Sequence, residues 1–240
     1  MGNKAIIFGA TSGIGRVLAK LLVDDGYQVM ITGRREERLK SIKEESPDSY
    51  IIKQHDITDT TASKELFEEL PNIFDQVDLI IHNSGIAKEN YDLEWDKDLP
   101  TLQTNVIGAT RVYQLAYNYF KAQGFGHLVS VTSIASLRGN RHVPAYHASK
   151  AFQSSYLESL WMKSKRTKKA KIDVTNILPG YVDTDIIIGN TFWMAPLDKA
   201  VNQIYSAIKS KKRRAYITKR WWFVAMWLKI IPPRLLMKFM

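Results

Sequence analysis

The segment Tyr146-His-Ala-Ser-Lys150 places a phenol and an ammonium four residues apart. The apolar spacing through Phe152, Tyr156 and Leu160 predicts a helix here, and on a helix residues i and i+4 share a face. An ammonium beside a phenol stabilises the phenolate and lowers a tyrosine pKa from its usual value of about 10. A tyrosine tuned in this way gives a proton to a carbonyl oxygen or takes one from an alcohol. Thirteen residues earlier, Ser133 ends the strand-like run Leu128-Val-Ser-Val-Thr-Ser133. A serine at the carboxyl end of a parallel strand faces the crevice where such sheets bind ligands. Each feature alone has a plainer meaning: a Tyr-x-x-x-Lys pair is commonly a helix-surface pair. Ser133 lies in no G-x-S-x-G elbow, which argues against a hydrolase.

A second constellation stands near the N-terminus. Gly9-Ala-Thr11-Ser12-Gly13-Ile14-Gly15 follows the first apolar run and opens the first helical pattern. Glycines there let backbone N–H groups approach a pyrophosphate at a helix N-terminus. The spacing is G-x-x-x-G-x-G, and an ordinary strand–helix turn would also satisfy it. At the end of the second strand, where an acid would bind an adenosine ribose 2′-hydroxyl, the chain reads Thr32-Gly33-Arg34-Arg35. An acid would repel a 2′-phosphate, whereas guanidinium binds one bidentately and stacks on adenine. The pair favours NADP(H) over NAD(H). The plainer reading is that Arg34 and Arg35 begin a solvated helix.

The elements that must position these groups alternate along the chain. Strand-like runs are expected at 5–8, 28–32, 50–53, 79–82, 126–132, 171–178 and 215–218. Helical segments are expected near 14–25, 35–45, 60–70, 101–122, 145–165 and 196–209. Runs such as Leu79-Ile80-Ile81 are apolar without alternation, as in strands covered on both faces. Repeated β-α alternation implies a parallel sheet with right-handed crossovers. The expected fold class is α/β: a single doubly wound Rossmann-type domain over 1–220, with a seven-stranded parallel sheet and a short C-terminal helical extension over 221–240.

With these motifs in order, the sequence resembles the short-chain dehydrogenase/reductase family over residues 3–218. The loop Gly9–Gly15 matches the family's cofactor loop, and Asp56 after the third strand matches the acid that contacts adenine. Asn83-Ser84-Gly85 matches the end of its Asn-Asn-Ala-Gly motif, and Asn105 matches its helix asparagine. Ser133, Tyr146 and Lys150 match its remaining catalytic positions. Pro179-Gly180, with Val182 and Thr184 following, matches the segment that holds the carboxamide side of the nicotinamide. The resemblance implies that Tyr146 is the general acid/base and that Lys150 holds the nicotinamide ribose. It implies that Ser133 binds the substrate oxygen and that Asn105 anchors a water that relays protons through Lys150. The hydride would come from the cofactor, with the protein supplying orientation and electrostatics. A dimer or tetramer, formed through the helix carrying Tyr146 and its neighbour, is also implied. Phe8, His82 and Ser84 depart from the family pattern at positions that shape the cleft without doing chemistry. Position 12 is serine where some NADP-preferring members carry a basic residue, leaving Arg34 and Arg35 as the support for NADP.

The expected function is thus an NADP(H)-dependent carbonyl reductase or alcohol dehydrogenase acting on a small molecule. A non-catalytic dinucleotide sensor, or a membrane-associated scaffold on the same fold, is the competing class. The intact Asn105, Ser133, Tyr146 and Lys150 set argues against both, since neither needs proton-transfer groups.

Composition narrows the rest. Among 240 residues, 45% are hydrophobic and 24% charged, the balance of an ordinary globular chain. The absence of cysteine removes disulfides, thiolate zinc sites and a cysteine nucleophile. The histidines form no H-E-x-x-H pair, so no metal site is expected. The N-terminus leads straight into a strand-like run without a signal-peptide apolar region, which reads as a cytoplasmic start. Net charge is +10, from 34 Lys/Arg against 24 Asp/Glu. Residues 209–240 hold ten Lys/Arg and no acid, so the excess belongs to the tail. A second basic run, 163–171, reads as a solvated loop.

The tail's longest uncharged stretch, Trp221 to Leu228, is far shorter than the roughly 20 residues of a membrane span. Phe223, Met226, Trp227 and Ile230 share one helical face, and Pro232-Pro233 ends the helix. Basic residues beside such a face suit peripheral contact with an anionic membrane; packing on the chain's own subunit or a partner is the other reading. The aromatics cluster with aliphatics rather than alternating with charges, which argues against nucleic acid. A short apolar stretch after Thr184, with Ile186, Ile187, Ile188, Phe192, Trp193 and Met194, stands where the family places its substrate lid. It suits a lipophilic carbonyl or alcohol, since burying apolar surface gains about 25 cal/mol per Å².

Overall fold

The computed structural model describes residues 2–184 and 193–237. Seven strands form one all-parallel sheet: β1 (Lys4–Phe8), β2 (Gln28–Gly33), β3 (Tyr50–Gln54), β4 (Leu79–His82), β5 (Phe125–Val131), β6 (Lys171–Pro179) and β7 (Arg214–Ile217). Their spatial order is β3-β2-β1-β4-β5-β6-β7. The order reverses at β1, whose neighbours are β2 and β4, and in open parallel sheets the ligand crevice lies at that switch, outside the carboxyl ends.

The unbroken apolar strands divide between two cores, because successive side chains leave opposite faces of a strand. Ala5 and Ile7 pack with α1 (Gly13–Asp24), α2 (Glu36–Glu45) and α7 (Leu197–Lys209). Ile6 and Phe8 face the other way, against α3 (Thr60–Ile73), α5 (Ala109–Gln123) and α6 (Pro144–Arg166). At the start of α3, the Asp59 carboxylate accepts from Thr61 N at 3.0 Å and Ala62 N at 2.8 Å, satisfying two otherwise unpaired donors.

Two helices exceed their expected limits, both at prolines. Helix α3 continues past Pro71 to Ile73, although proline has no N–H to give the i−4 carbonyl, with Leu70 and Phe74 on either side of it packed into the core. The single helix expected over 101–122 begins earlier as α4 (Trp95–Leu102), which contains Pro100. A π-helical turn, Gln103–Gly108, then joins it to α5. Such turns recur at functional sites, and this one carries Asn105.

Beyond β7 the chain forms α8 (Trp221–Ile230) and a last turn, α9 (Pro233–Leu236). Trp221, Ala225 and Leu228 face inward and are buried. Phe223 and Ile230 stand 70% and 79% exposed on the opposite side, with Trp227 exposed beside them. Arg138, just after the short 3-10 turn Ile134–Leu137, reaches the C-terminal end of α8. Its guanidinium donates to the carbonyls of Leu228 (2.5 Å), Lys229 (3.1 Å) and Ile231 (2.9 Å). Among the described residues no helix is long and apolar enough to cross a membrane.

Candidate active site

A cleft of about 410 Å³ opens along the carboxyl ends of the strands. On one side it is lined by Gly9, Thr11, Ser12, Gly13 and Ile14 of the loop after β1, with Arg34, Arg35 and Asp56 after β2 and β3. Asn83 and Gly85 after β4 and Ser133 after β5 follow, then Tyr146 and Lys150 on α6 and Pro179, Gly180, Val182 and Thr184 after β6. Of the catalytic and cofactor-binding residues expected from the sequence, Gly15 and Asn105 do not line this cleft.

Gly15 is buried in the first turn of α1, where a Cβ would sit 2.2 Å from the Gly9 carbonyl oxygen and 2.7 Å from Asn83 Nδ2. The close approach keeps the loop tight, and Asn83 Nδ2 fastens it by donating to that same carbonyl at 2.7 Å. A tight loop at a helix N-terminus is an arrangement that accepts a pyrophosphate. Asn105, fully buried, uses its amide on the loop after β4. Its Oδ1 accepts from Ile86 N (3.0 Å), and its Nδ2 donates to Ile86 O (2.8 Å) and Ser149 Oγ (3.0 Å).

The two arginines differ in posture. Arg35 folds back over the glycine loop, donating from Nη2 to Thr11 Oγ1 at 2.6 Å and Ser12 Oγ at 2.9 Å. Arg34 Nη1 leans toward Asp56, 4.0 Å from Oδ2. Burial acts to raise the Asp56 pKa, but two hydrogen bonds from Thr58 and the Arg34 charge outweigh it and hold the carboxyl below its usual range.

At the other end, Ser133 begins the 3-10 turn, its Oγ accepting from Ala135 N at 3.1 Å. Lys150 is 3% exposed; its Nζ donates to Val131 O (3.3 Å) and Gln153 Oε1 (3.1 Å), and burial pushes its pKa down to about 8. The Lys150 ammonium lies 5.7 Å from the Tyr146 ring centroid. The sequence led us to expect a depressed Tyr146 pKa, and the direction in the protein is the reverse. Burial raises it, the Tyr181 phenol adds to the rise, and the hydrogen bond with the Ser133 hydroxyl only partly offsets them. The phenol is therefore protonated at neutral pH, the form that can give a proton to a carbonyl.

The pattern of the short chain dehydrogenase family matches residues 3–193. The chain is a short-chain dehydrogenase. It is similar to the 3-oxoacyl-acyl-carrier-protein reductase FabG of Aquifex aeolicus, 29% identical over 194 residues, 77% of this chain and 76% of that protein. Among solved structures, one from Burkholderia phymatum in complex with NAD superposes with a TM-score of 0.83 at 16% identity, covering 94% of this chain and 92% of that one. Another, from Burkholderia cenocepacia in complex with NADP, has a TM-score of 0.83 at 20% identity, covering 98% and 95%. This short-chain dehydrogenase is accordingly an NAD(P)-dependent oxidoreductase acting between CH–OH and C=O.

The dehydrogenase's cleft also takes in Ser84, expected from the sequence to shape it, and Gly33, His55, Ile57, Ile86, Thr104, Val131 and Thr132, which carry no motif of their own. Most of them sit at or just past strand ends, so the strand assignment itself carried that signal. Arg138 and Gln153 carried no motif: Arg138 meets a carbonyl 90 residues away, and Gln153 joins a carbonyl 48 residues away to Lys150 on its own helix. His82, a departure from the family pattern, is buried with Nδ1 3.1 Å from Ser130 Oγ, and Tyr113 OH closes the group 2.7 Å from the same oxygen. Of the stretch expected to form a lid, residues 185–192 lie outside those described. Trp193 meets Trp221 edge-on at 6.3 Å, and its carbonyl accepts from Arg220 Nη2 at 2.6 Å.

Proposed function

We propose that this short-chain dehydrogenase is an NADP(H)-dependent reductase of lipophilic carbonyl compounds, with Tyr146 as the general acid/base. The observation that carries the reading is the joining of Ser133, Tyr146 and Lys150 with Arg34 and Arg35 along one cleft. A bound nicotinamide supplies the hydride; the chain's own work is to orient the carbonyl and deliver a proton. The Ser133 hydroxyl is the donor for the substrate oxygen, and the half-buried, protonated Tyr146 gives its proton to that oxygen. Lys150 opposes the negative charge left on the phenol. Arg35, pinned by Thr11 and Ser12, and Arg34 beside it supply two guanidiniums for a 2′-phosphate, with Asp56 set further along the wall. Gly85, Asn83, Pro179, Gly180, Val182 and Thr184 complete the dinucleotide bed, and Asn105 supports it from behind.

The lipophilic assignment draws on the aromatic cluster of Tyr181, Trp193 and buried Trp221, which packs on Gly180 of the cleft wall. Helix α8 borders the site, since the Trp221 ring lies so close over Gly180 that a Cβ there would be 2.1 Å from Cε2. Its outward face, Phe223, Trp227 and Ile230, with Lys219, Arg220, Lys229 and Arg234 exposed around it, suits peripheral contact with an anionic membrane. Exposed Phe152 and Met162 on α6, with Ile107 before α5, supply apolar surface for a homodimer or homotetramer.

The deciding experiment is fluorescence titration with NADPH and NADH, followed by turnover of medium-chain aldehydes and ketones. NADPH binds at least tenfold more tightly, and the preference disappears in an Arg34→Ala, Arg35→Ala double variant, because charge-assisted hydrogen bonds contribute roughly 1.5–3 kcal/mol each. Tyr146→Phe abolishes turnover while NADPH binding persists. Equal binding of both nucleotides overturns the cofactor assignment, and retained turnover in Tyr146→Phe overturns the chemistry.

A further inference from the structure

Gln153 lies one turn beyond Lys150 on α6 and is fully buried, on the inward side of a helix whose Ala151 and Phe152 are exposed. A glutamine side chain in such a place must find partners for both ends of its amide, or leave a buried polar group unpaired. Both ends are satisfied, and by the site itself. Its Nε2 donates to the main-chain carbonyl of Asn105 at 2.7 Å, and its Oε1 accepts from Lys150 Nζ at 3.1 Å. The family resemblance assigns those two partners, the Asn105 position and Lys150, to a mobile water. In this chain a covalently tethered amide takes up the link.

We propose that Gln153 is a positioning residue for the proton-transfer pair: its carboxamide ties Lys150 to the main chain of Asn105, fixing the ammonium toward the cleft and favouring its charged form. The inference rests on the reading of Tyr146 and Lys150 given above. A lysine amine can otherwise sample several rotamers; here Val131 O and Gln153 Oε1 hold it from two directions. Gln153 is held in turn by a carbonyl of the π-helical turn, whose Asn105 side chain is already committed to Ile86 and Ser149. The amide cannot pass a proton from one end to the other as water can. The link therefore acts as a brace rather than a wire.

Two other titratable groups face Lys150. Tyr146 is on the same helix. His82, at the end of β4, is kept neutral by burial and by the Lys150 charge itself. Burial alone shifts Lys150, with no carboxylate among the described residues countering it. An acceptor on the ammonium then matters more than it would at the surface, since it stabilises the charged form against that burial.

The test uses NADPH as probe, so that it does not depend on knowing the substrate. Affinity is followed by fluorescence from pH 6.5 to 10 for the unaltered enzyme, Lys150→Met, Gln153→Met and Gln153→Glu, with thermal unfolding to establish folding. Affinity for the anionic cofactor falls as Lys150 loses its proton, and Lys150→Met lacks that limb. Gln153→Met, close in size but without an acceptor, moves the limb to lower pH by about one unit. Gln153→Glu keeps an acceptor and adds a negative charge, so its limb moves to higher pH. Opposite displacements are not produced by a glutamine that merely fills space. An unmoved limb, or displacement in one direction by both variants, overturns the proposal and leaves the functional reading standing. If Gln153→Met does not fold, an unmoved limb in Gln153→Glu overturns it alone. Failure of the unaltered enzyme to bind NADPH removes the functional reading and this inference together.

Discussion

Arg138 offers a direct measure of how firmly α8 is joined to the catalytic wall. Replacement by alanine deletes three guanidinium–carbonyl hydrogen bonds at once, to Leu228, Lys229 and Ile231. Lys229 is exposed, so water can replace the bond to its carbonyl and little is lost there. Leu228 and Ile231 are 8% and 6% exposed, and their carbonyls end a helix, where they carry the negative end of its dipole. Taking the lower end of roughly 1.5–3 kcal/mol for each of those two bonds gives a loss of about 3 kcal/mol. For a chain of this length, each kcal/mol moves Tm by roughly 2–4 °C, so the expected fall is about 6–12 °C. Arg138→Lys retains the charge but one donor group, and falls between the two. The assay is thermal unfolding followed by circular dichroism and, separately, tryptophan emission, because Trp221 and its neighbours report on α8 itself. A Tm within a degree of the unaltered protein would refute the claim that this residue anchors the helix. An unchanged circular dichroism transition with an early tryptophan transition would show that α8 detaches independently, contrary to the cooperative packing argued here.

Two further outcomes follow from surface and burial. In sedimentation with liposomes containing anionic lipid, Phe223→Ser combined with Ile230→Ser weakens binding about tenfold, since burying one such side chain gains roughly 1.5–3 kcal/mol and insertion at an interface is partial; undiminished sedimentation would count against the membrane reading. These outward substitutions are preferable to truncation, which would strip Trp221, Ala225 and Leu228 from the core. Acid should destabilise the fold well above the carboxylate range. Burial holds His82 down to about 3 and His127 to about 4, so the unfolded chain, with histidines near 6.5, binds more protons as pH falls. Their stability contribution is complete above pH 6.5 and is lost as pH drops, by roughly 4 kcal/mol for the pair between pH 7 and 5. Urea unfolding across that range measures it, and His127→Gln should flatten the dependence by about half; an equal slope in the variant would mean that His127 is not the neutral buried group described.

Much of the architecture was legible because the strands are covered on both faces. Leu79-Ile80-Ile81 and Leu128-Val129 read as buried strands without any knowledge of neighbours, and the strand ends then located Ser133 and the glycine loop within a residue or two. The boundaries that misled were those at Pro71 and Pro100, where local chain chemistry argued for an end and tertiary packing carried the helix through. In the tail, helical spacing marked out Phe223, Met226, Trp227 and Ile230 as a common face. Which side of the helix would meet the core was not legible: the opposite set, Trp221, Ala225 and Leu228, is the buried one. Spacing reveals a shared face, while its partner depends on what the rest of the chain presents. The Tyr146 pKa was misjudged for a related reason, as sequence gives the i, i+4 neighbour but not the depth at which both residues sit. Arg138 acts on carbonyls far away in sequence, and Gln153, though three residues from Lys150, owes its role to the distant Asn105 carbonyl at its other end.

Among the described residues β3 and β7 end the sheet, and the edge of an open parallel sheet offers a row of unpaired donors and acceptors to any extended chain that meets it. On one border, β7 has only four residues, Arg214–Ile217, preceded by exposed Lys211, Lys212 and Arg213 and followed by exposed Lys219 and Arg220. On the other, β3 is five residues long and carries Lys53 paired with Glu69. A second copy approaching β7 edge to edge would meet a register too short to reward alignment and, with Lys211 and Arg213 already paired to Asp173 and Glu158, the like charges of Lys212, Lys219 and Arg220. The basic cluster thus keeps the strand from serving as a template for aggregation, whatever surface the tail itself goes on to meet.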